Sequence, residues 1–120
     1  MIDIRVDHDA PVPPYEQVRT RIADLAATGA LPAGTKLPPV RRLAADLGLA
    51  ANTVARAYRE LEQAGLVQTR GRAGTVITAR AARVPAEAQK AAARYAERAR
   101  QLGVPPEAAL ELVRAALGLT

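Results

Sequence analysis

The segment 37–77 constrains the fold of this chain most, because its apolar residues repeat first with a helical period and then with a strand period. The first run has one apolar helical face, which consists of Val40, Leu43, Ala44 and Leu47. Gly48 follows, as a glycine often does just past a helix. The second run also has one apolar face, which consists of Val54, Ala57, Tyr58 and Leu61. Two short helices joined by such a tight turn predict a helix-turn-helix.

A β-hairpin is predicted after the second helix. Residues 66–69 and 75–78 are short runs rich in β-forming residues, and 70–74 between them hold two glycines and two arginines. A basic hairpin tip beside such a helix is typical of a wing, which suits phosphates or a minor groove. The predicted fold class is therefore α+β, mostly α, with a winged helix-turn-helix followed by a short C-terminal helical hairpin.

The exposed face of the second helix carries polar residues that suit a DNA major groove. Asn52, Thr53 and Arg56 are three or four residues apart, so they lie together on the first exposed turns. Asn pairs with adenine and Arg with guanine in a bidentate manner in that groove. An alternative is a winged helix that binds a protein partner, for which this face should be more apolar.

The positive charge is concentrated in the same part of the chain. The net charge is +5, and residues 36–84 carry 9 cations against 3 anions. A polyanionic partner requires such a concentration, whereas a charge that served only solubility would be scattered. We therefore expect double-stranded DNA as the partner.

Other function classes have little support in the composition. With no cysteine and a single histidine, no metal site, no cofactor and no Ser-His-Asp or Cys-His catalytic set is expected, so we predict that the chain is not an enzyme. No run approaches the roughly 18 apolar residues of a membrane span, so a cytoplasmic protein is expected. The three tyrosines are too few for stacking on single strands, and Tyr15 and Tyr58 are predicted to be core residues.

The chain is long enough for one small domain with an extension. We predict a winged helix-turn-helix DNA-binding domain over 1–80 and a C-terminal two-helix dimerisation region over 81–120. A helix is predicted from about Tyr15 to Thr28, and 31–38 are predicted to be a loop. Residues 2–6 are interpreted as either a short strand or an ordered arm.

The predicted C-terminal helices start at Pro85 and at 105–106, and 79–84 form either a hinge or a helix start. Their apolar residues form a narrow seam, predicted as a dimer interface of Ala88, Ala92, Tyr95, Ala99, Leu102, Leu110, Val113 and Leu117. Packing of these helices on their own domain is the alternative. The second helix of the motif is the recognition helix, and a symmetric dimer would place its two copies about one DNA turn, roughly 34 Å, apart.

Residues from about 14 to 77 resemble the GntR family of bacterial transcriptional regulators. The resemblance rests on residues 14–18 and 31–38, Arg41, Leu43, Ala44, Leu47, Gly48, Asn52, Thr53, Val54, Ala57, Tyr58, Leu61, 65–67, Gly74 and Thr75. The short tail and the Asn-Thr-Val-x-x-Ala-Tyr string are similar to the YtrA subfamily. That resemblance implies a dimeric repressor whose C-terminal helices pair.

The resemblance also implies DNA contacts by Arg41 in the first helix, by the start of the recognition helix, and by Arg70 or Gly71 in the wing. Together with neighbouring cations, the predicted DNA-binding residues are Lys36, Arg41, Arg42, Asn52, Thr53, Arg56, Arg70, Gly71 and Arg72.

The sequence departs from the family pattern at Pro39, which replaces a capping serine, and at Ala50 and Ala51, which replace a polar pair. Which wing arginine enters the groove, the operator sequence and any small-molecule effector stay open.

Overall fold

The computed structural model describes residues 4–83 and 86–119, including all side chains in these ranges except those of 82, 83 and 86. The elements in chain order are α1 (Pro14–Ala27), α2 (Val40–Leu47), α3 (Ala51–Gln63), β1 (Val67–Thr69), β2 (Thr75–Ile77), α4 (Ala79–Arg83), α5 (Ala86–Gln101) and α6 (Pro106–Ala116). The predicted winged helix-turn-helix is confirmed.

Helix α1 forms because its apolar residues share one face, and Pro14 suits its first turn. Val18, Ile22 and Leu25 of that face are buried, as predicted. The helix packs chiefly against α3. The N-terminal helix is therefore the support on which the recognition helix rests.

The turn between α2 and α3 depends on Gly48, which adopts φ +67° and ψ +36°. This left-handed conformation costs a residue with a Cβ roughly 1–2 kcal/mol. The Gly48 and Leu49 N–H groups then donate to the carbonyls of Ala45 and Ala44, at 3.3 and 2.9 Å, and close the end of α2. The buried face predicted for α3 is confirmed in full, with Val54, Ala57, Tyr58 and Leu61.

The wing is a two-stranded antiparallel hairpin in which Val67 pairs with Ile77. The loop that precedes α2 also bonds to β2, since Leu37 N–H donates to Thr75 O at 2.8 Å and Ile77 N–H donates to Thr35 O at 2.9 Å. The prediction of a plain loop over 31–38 was therefore incomplete. This edge pairing is between distant parts of the chain, so local sequence carries no signal for it.

The N-terminal residues that the structure describes form an ordered arm rather than a strand. Ile4 is buried in the same core as α1, α2 and α3. The Gln17 side chain accepts a hydrogen bond from Asp7 N–H at 2.8 Å and donates to Asp7 O and Val12 O at 2.9 and 2.8 Å. Of the alternatives for 2–6, the arm is the one found at 4–6, and residues 2 and 3 lie outside the described residues.

The chain divides into two compact units between Gln89 and Lys90. Residues 79–83 of the predicted hinge or helix start form the helix α4, which packs on α1, and residue 84 lies outside the described residues. The predicted helix start at Pro85 lies outside the described residues. The functional division at 80/81 stays a prediction.

In the second unit, the Tyr95 hydroxyl of α5 donates to Ala109 O of α6 at 2.8 Å. Helix α6 buries none of its own residues. Ala99 of the predicted interface has only 6% of its surface exposed within one chain, and its place in a dimer interface stays a prediction. Small residues at helical spacing fit an intramolecular contact as well as an intermolecular one, which is why the sequence did not separate the two.

Candidate nucleic-acid interface

The N-terminal end of α3 presents polar side chains to solvent. Asn52 is exposed and Thr53 is half-buried. Ala50, the residue before the helix, provides no side-chain cap, and Thr53 N–H instead donates to Ala50 O at 3.1 Å. This end of the helix combines an exposed amide side chain with first-turn N–H groups that have few partners within the helix, and both are suited to a nucleic acid.

The start of α2 adds positive charge to the same motif. Arg41 and Arg42 lie in its first turn and both are exposed. The backbone just before this turn is held by α3, because the Tyr58 hydroxyl donates to Pro38 O at 2.7 Å. Burial raises the pKa of Tyr58, so the phenol keeps the proton that this bond requires. Tyr58 is thus a core residue, as predicted, that also fixes how α2 begins relative to α3.

The wing tip is a short 3₁₀ turn over Gly71–Ala73, closed by a bond from Arg70 N–H to Gly74 O at 2.8 Å. Arg70, Gly71 and Arg72 are all exposed. The Arg70 Nε donates to the Gln68 side chain at 3.3 Å, which leaves the rest of that guanidinium at the surface. The tip therefore offers two cations and a glycine backbone, in agreement with the predicted wing.

Lys36 belongs to the wing rather than to a separate loop. It pairs with Val76 through an isolated bridge on the edge of the hairpin. Its side chain crosses Gly74 so closely that a Cβ there would meet Lys36 Cε at 3.0 Å. Gly74 thus allows the lysine stem to lie flat across the hairpin.

Arg56 is bound within the protein. Its guanidinium carbon lies 3.7 Å from the centroid of the Tyr15 ring, its Nη2 donates to the Tyr15 hydroxyl at 3.1 Å, and its Nε donates to Glu60 at 3.1 Å. The predicted base contact of Arg56 stays a prediction, since these bonds engage two of the five N–H groups of the guanidinium.

Tyr15 has the structural use predicted for it, but its side chain is not in the core. Its ring is only partly buried and supports an arginine from another helix. Burial, reinforced by the charge of Glu16, raises the pKa of Tyr15. Sequence analysis also missed the bond from the Thr69 hydroxyl to Glu62 at 2.9 Å, which joins the wing to α3. Both contacts link separate elements, so local periodicity gave no signal for them.

The sequence-predicted residues fall into two groups within one fold. Arg41, Arg42, Asn52, Thr53 and Arg56 lie on the helix-turn-helix, and Lys36, Arg70, Gly71 and Arg72 lie on the wing. Two helices joined through a left-handed glycine, an exposed polar helix end and a basic hairpin define a winged helix-turn-helix DNA-binding protein.

Comparison with known proteins gives the family. Residues 14–77 match the family described as bacterial regulatory proteins, gntR family. The chain belongs to this GntR family of transcriptional regulators. The resemblance found in the sequence is thereby confirmed.

Three relatives illustrate the similarity. The chain is 54% identical over 101 residues to the HTH-type transcriptional regulator Rv1152 of Mycobacterium tuberculosis, over 84% of this chain and 83% of that protein. It is 42% identical over 76 residues to the HTH-type transcriptional repressor YtrA of Bacillus subtilis, over 62% of this chain and 58% of that protein. The solved structure of YtrA from Sulfolobus acidocaldarius, a GntR-family transcription factor, superposes with a TM-score of 0.61 at 34% identity, over 66% of this chain and 82% of that one.

Among the described residues, no helix combines the length and the apolar character needed to cross a membrane.

Proposed function

We propose that this chain is a sequence-specific double-stranded DNA-binding regulator that acts as a homodimer on an inverted-repeat operator. The observation that carries the proposal is the exposed, uncapped start of α3 with Asn52 on its first turn. The membership in a transcriptional regulator family supports a role at promoters. Such a protein acts where the chromosome is, so the proposed location is the cytoplasm.

The proposed roles follow from side-chain chemistry. Asn52 and Thr53 contact base edges in the major groove, where an Asn amide matches adenine. Arg41 and Arg42 bind phosphates or base edges beside the recognition helix. The wing cations, Lys36, Arg70 and Arg72, hold the flanking backbone or minor groove, and the Gly71 backbone allows a close approach.

Dimerisation is proposed through the second unit, where apolar side chains are exposed in number. Leu110 and Leu117 of the predicted interface have 58% and 68% of their surface exposed. The other large apolar residues exposed in this unit are Tyr95, Leu102, Leu112 and Leu119. Large apolar side chains left exposed in one unit favour an interaction site, and a second copy supplies the complementary apolar face. Ala88, Ala92 and Val113 complete the proposed interface.

Repression is proposed as the outcome of binding, with support from the similarity to the repressor YtrA of Bacillus subtilis. A dimer bound at a promoter blocks the access of RNA polymerase without a further component. No catalytic step enters this proposal.

Selection of bound duplexes from a random pool, followed by sequencing, tests the proposed function. We expect an enriched inverted repeat with half-sites about 10 base pairs apart. Strong, salt-sensitive retention without a consensus would instead indicate a binder of the DNA backbone alone. No retention at low salt would contradict DNA binding and favour the alternative of a protein-interaction module.

A further inference from the structure

Four side chains from α1 and α3 form one bonded cluster, defined here as the Arg56 clamp: Tyr15, Arg19, Arg56 and Glu60. Tyr15 and Arg19 are four residues apart on α1, and Arg56 and Glu60 are four residues apart on α3, so each pair projects from one side of its helix. The two pairs face each other across the α1–α3 contact. The Arg56 clamp therefore connects the two helices to each other.

Every member of the clamp contacts at least two others. Glu60 accepts from Arg56 Nε with one carboxylate oxygen and from Arg19 Nη1 with the other. Both arginines lie over the Tyr15 ring, with guanidinium carbons 3.7 Å (Arg56) and 5.9 Å (Arg19) from its centroid. Arg56 is therefore held by an aromatic face, a hydroxyl and a carboxylate together. A side chain fixed at three points has lost the freedom that a solvent-exposed arginine normally keeps.

The clamp lies immediately behind the residues proposed to read DNA. Arg56 is four residues after Asn52 and three after Thr53, which is about one turn of α3. A connection to α1 at this point fixes both the rotation of α3 about its axis and its translation along α1. Since base edges are read by hydrogen bonds of narrow geometry, a small rotation of α3 misaligns the Asn52 amide.

We propose that Arg56 is a positioning residue, which the Tyr15 ring and Glu60 hold against α1 so that Asn52 and Thr53 meet the bases in register. This positioning role replaces the base contact that the sequence predicted for Arg56. The inference rests on the proposed function and deepens it, since it assigns the sequence preference of α3 partly to residues of α1. Tyr15, which lies on a different helix, becomes a determinant of operator recognition.

A double-mutant cycle on the selected operator tests this role. Arg56→Ala and Tyr15→Ala are each expected to weaken operator binding by about tenfold, and the double variant by no more than about tenfold, because both substitutions open the same clamp. Arg59→Ala is the matched control, because it removes one positive charge from an exposed position of the same helix. We expect it to leave the operator preference unchanged. Tyr15→Phe keeps the ring and removes only the hydroxyl, so it should lose less than Tyr15→Ala.

Two further readouts separate positioning from the other possible roles of Arg56. The first is the dependence of affinity on salt, from about 50 to 200 mM: a phosphate contact by Arg56 would lower the slope by about one in Arg56→Ala, whereas the clamp predicts no change beyond that of Arg59→Ala. The second is the affinity for every single-base variant of the operator. The clamp predicts weaker discrimination at all positions that α3 reads, in Arg56→Ala and in Tyr15→Ala alike.

Three results would overturn the positioning role while the proposed function stands. They are relaxed preference at one base pair in Arg56→Ala but not in Tyr15→Ala, losses that add in the double variant, and unchanged operator affinity of the folded single variants. Urea unfolding of each variant shows that the affinity is measured on folded protein. A wild-type chain with no base preference at all would overturn both the positioning role and the proposed function.

Discussion

The Tyr58 hydroxyl donates a 2.7 Å hydrogen bond to the backbone carbonyl of Pro38, twenty residues earlier in the chain. Tyr58 lies on the buried face of α3, and Pro38 lies just before α2. The bond therefore joins the recognition helix to the entry of the helix that carries Arg41 and Arg42. The two helices of the helix-turn-helix are thus held together by a residue that faces away from the proposed DNA-binding surface.

Removal of this hydroxyl should destabilise the fold. Tyr58→Phe keeps the ring but leaves the Pro38 carbonyl without its partner, which should lower the free energy of unfolding by about 1–3 kcal/mol. Urea denaturation measures this difference. Tyr95→Phe is the matched control, because its hydroxyl also donates to a carbonyl, Ala109 O, but at an exposed site where water can replace it. Equal stability of the Tyr58→Phe variant and the wild type would contradict the assignment.

Stability should fall in alkaline solution. Burial raises the pKa of Tyr58 in the folded chain, whereas the unfolded chain loses the proton near the ordinary tyrosine pKa of about 10. The folded state therefore binds more protons above that pH, and the contribution of Tyr58, complete below about pH 10, is lost as the pH rises. The free energy of unfolding should fall by up to about 1.4 kcal/mol per pH unit from this group.

The raised pKa of Tyr15 also makes the free energy of unfolding fall as the pH rises above about 10. Tyr58→Phe removes only the Tyr58 contribution, so its stability should decline less steeply above pH 10. Urea unfolding at several pH values between 8 and about 11.5 measures both slopes. Parallel slopes for the two proteins would show that the Tyr58 hydroxyl is not the titrating group.

A side chain at Gly48, in the turn between α2 and α3, should destabilise the fold. Gly48 has φ +67°, and a Cβ there would meet no atom within 4 Å beyond the adjacent residues, so the cost of Gly48→Ala is conformational rather than steric. We expect a loss of about 1 kcal/mol in the free energy of unfolding. Gly48→Asn is the control, since Asn tolerates the left-handed region and should lose less. A larger loss for Asn than for Ala would refute this explanation.

The oligomeric state should depend on the apolar face of α6. Leu110→Glu and Leu117→Glu place a charge in the proposed interface, so each should convert a dimer into a monomer in sedimentation experiments. Ala108→Glu introduces the same charge at an exposed position of the same helix and should leave the dimer intact. A wild-type chain that sediments as a monomer at micromolar concentration would contradict the proposed assembly.

The elements that the sequence predicted best are those specified by local patterns. The buried face of α3 follows from a spacing of three and four residues, and the end of α2 follows from a single glycine. The edge bonds of Thr35 and Leu37 with β2 involve partners about forty residues away, so no local pattern encodes them. Prediction succeeds where the determinant and its effect lie within a few turns of each other.

The candidate site also combines features that local patterns predict with features that depend on tertiary contacts. Exposure of Arg41, Asn52 and the wing cations follows from helical and hairpin periodicity, whereas the stacking of Arg56 on Tyr15 depends on how α1 packs across α3. The pattern alone placed Arg56 among the DNA-binding residues on the exposed face of the recognition helix and Tyr15 at a core position. The actual environment of both side chains depends on a tertiary contact between residues 41 apart in the sequence, which the local pattern does not encode.

Base reading by the first turn of α3 distinguishes a sequence-specific regulator from a binder of the DNA backbone alone, and substitution of Asn52 tests it. Wild type and Asn52→Ala would be titrated against the selected operator, all of its single-base variants and a random duplex. We expect Asn52→Ala to lose about 1–3 kcal/mol of binding free energy on the operator and to relax the preference at one position of each half-site. A loss of the same size on the operator, on its variants and on the random duplex would contradict it.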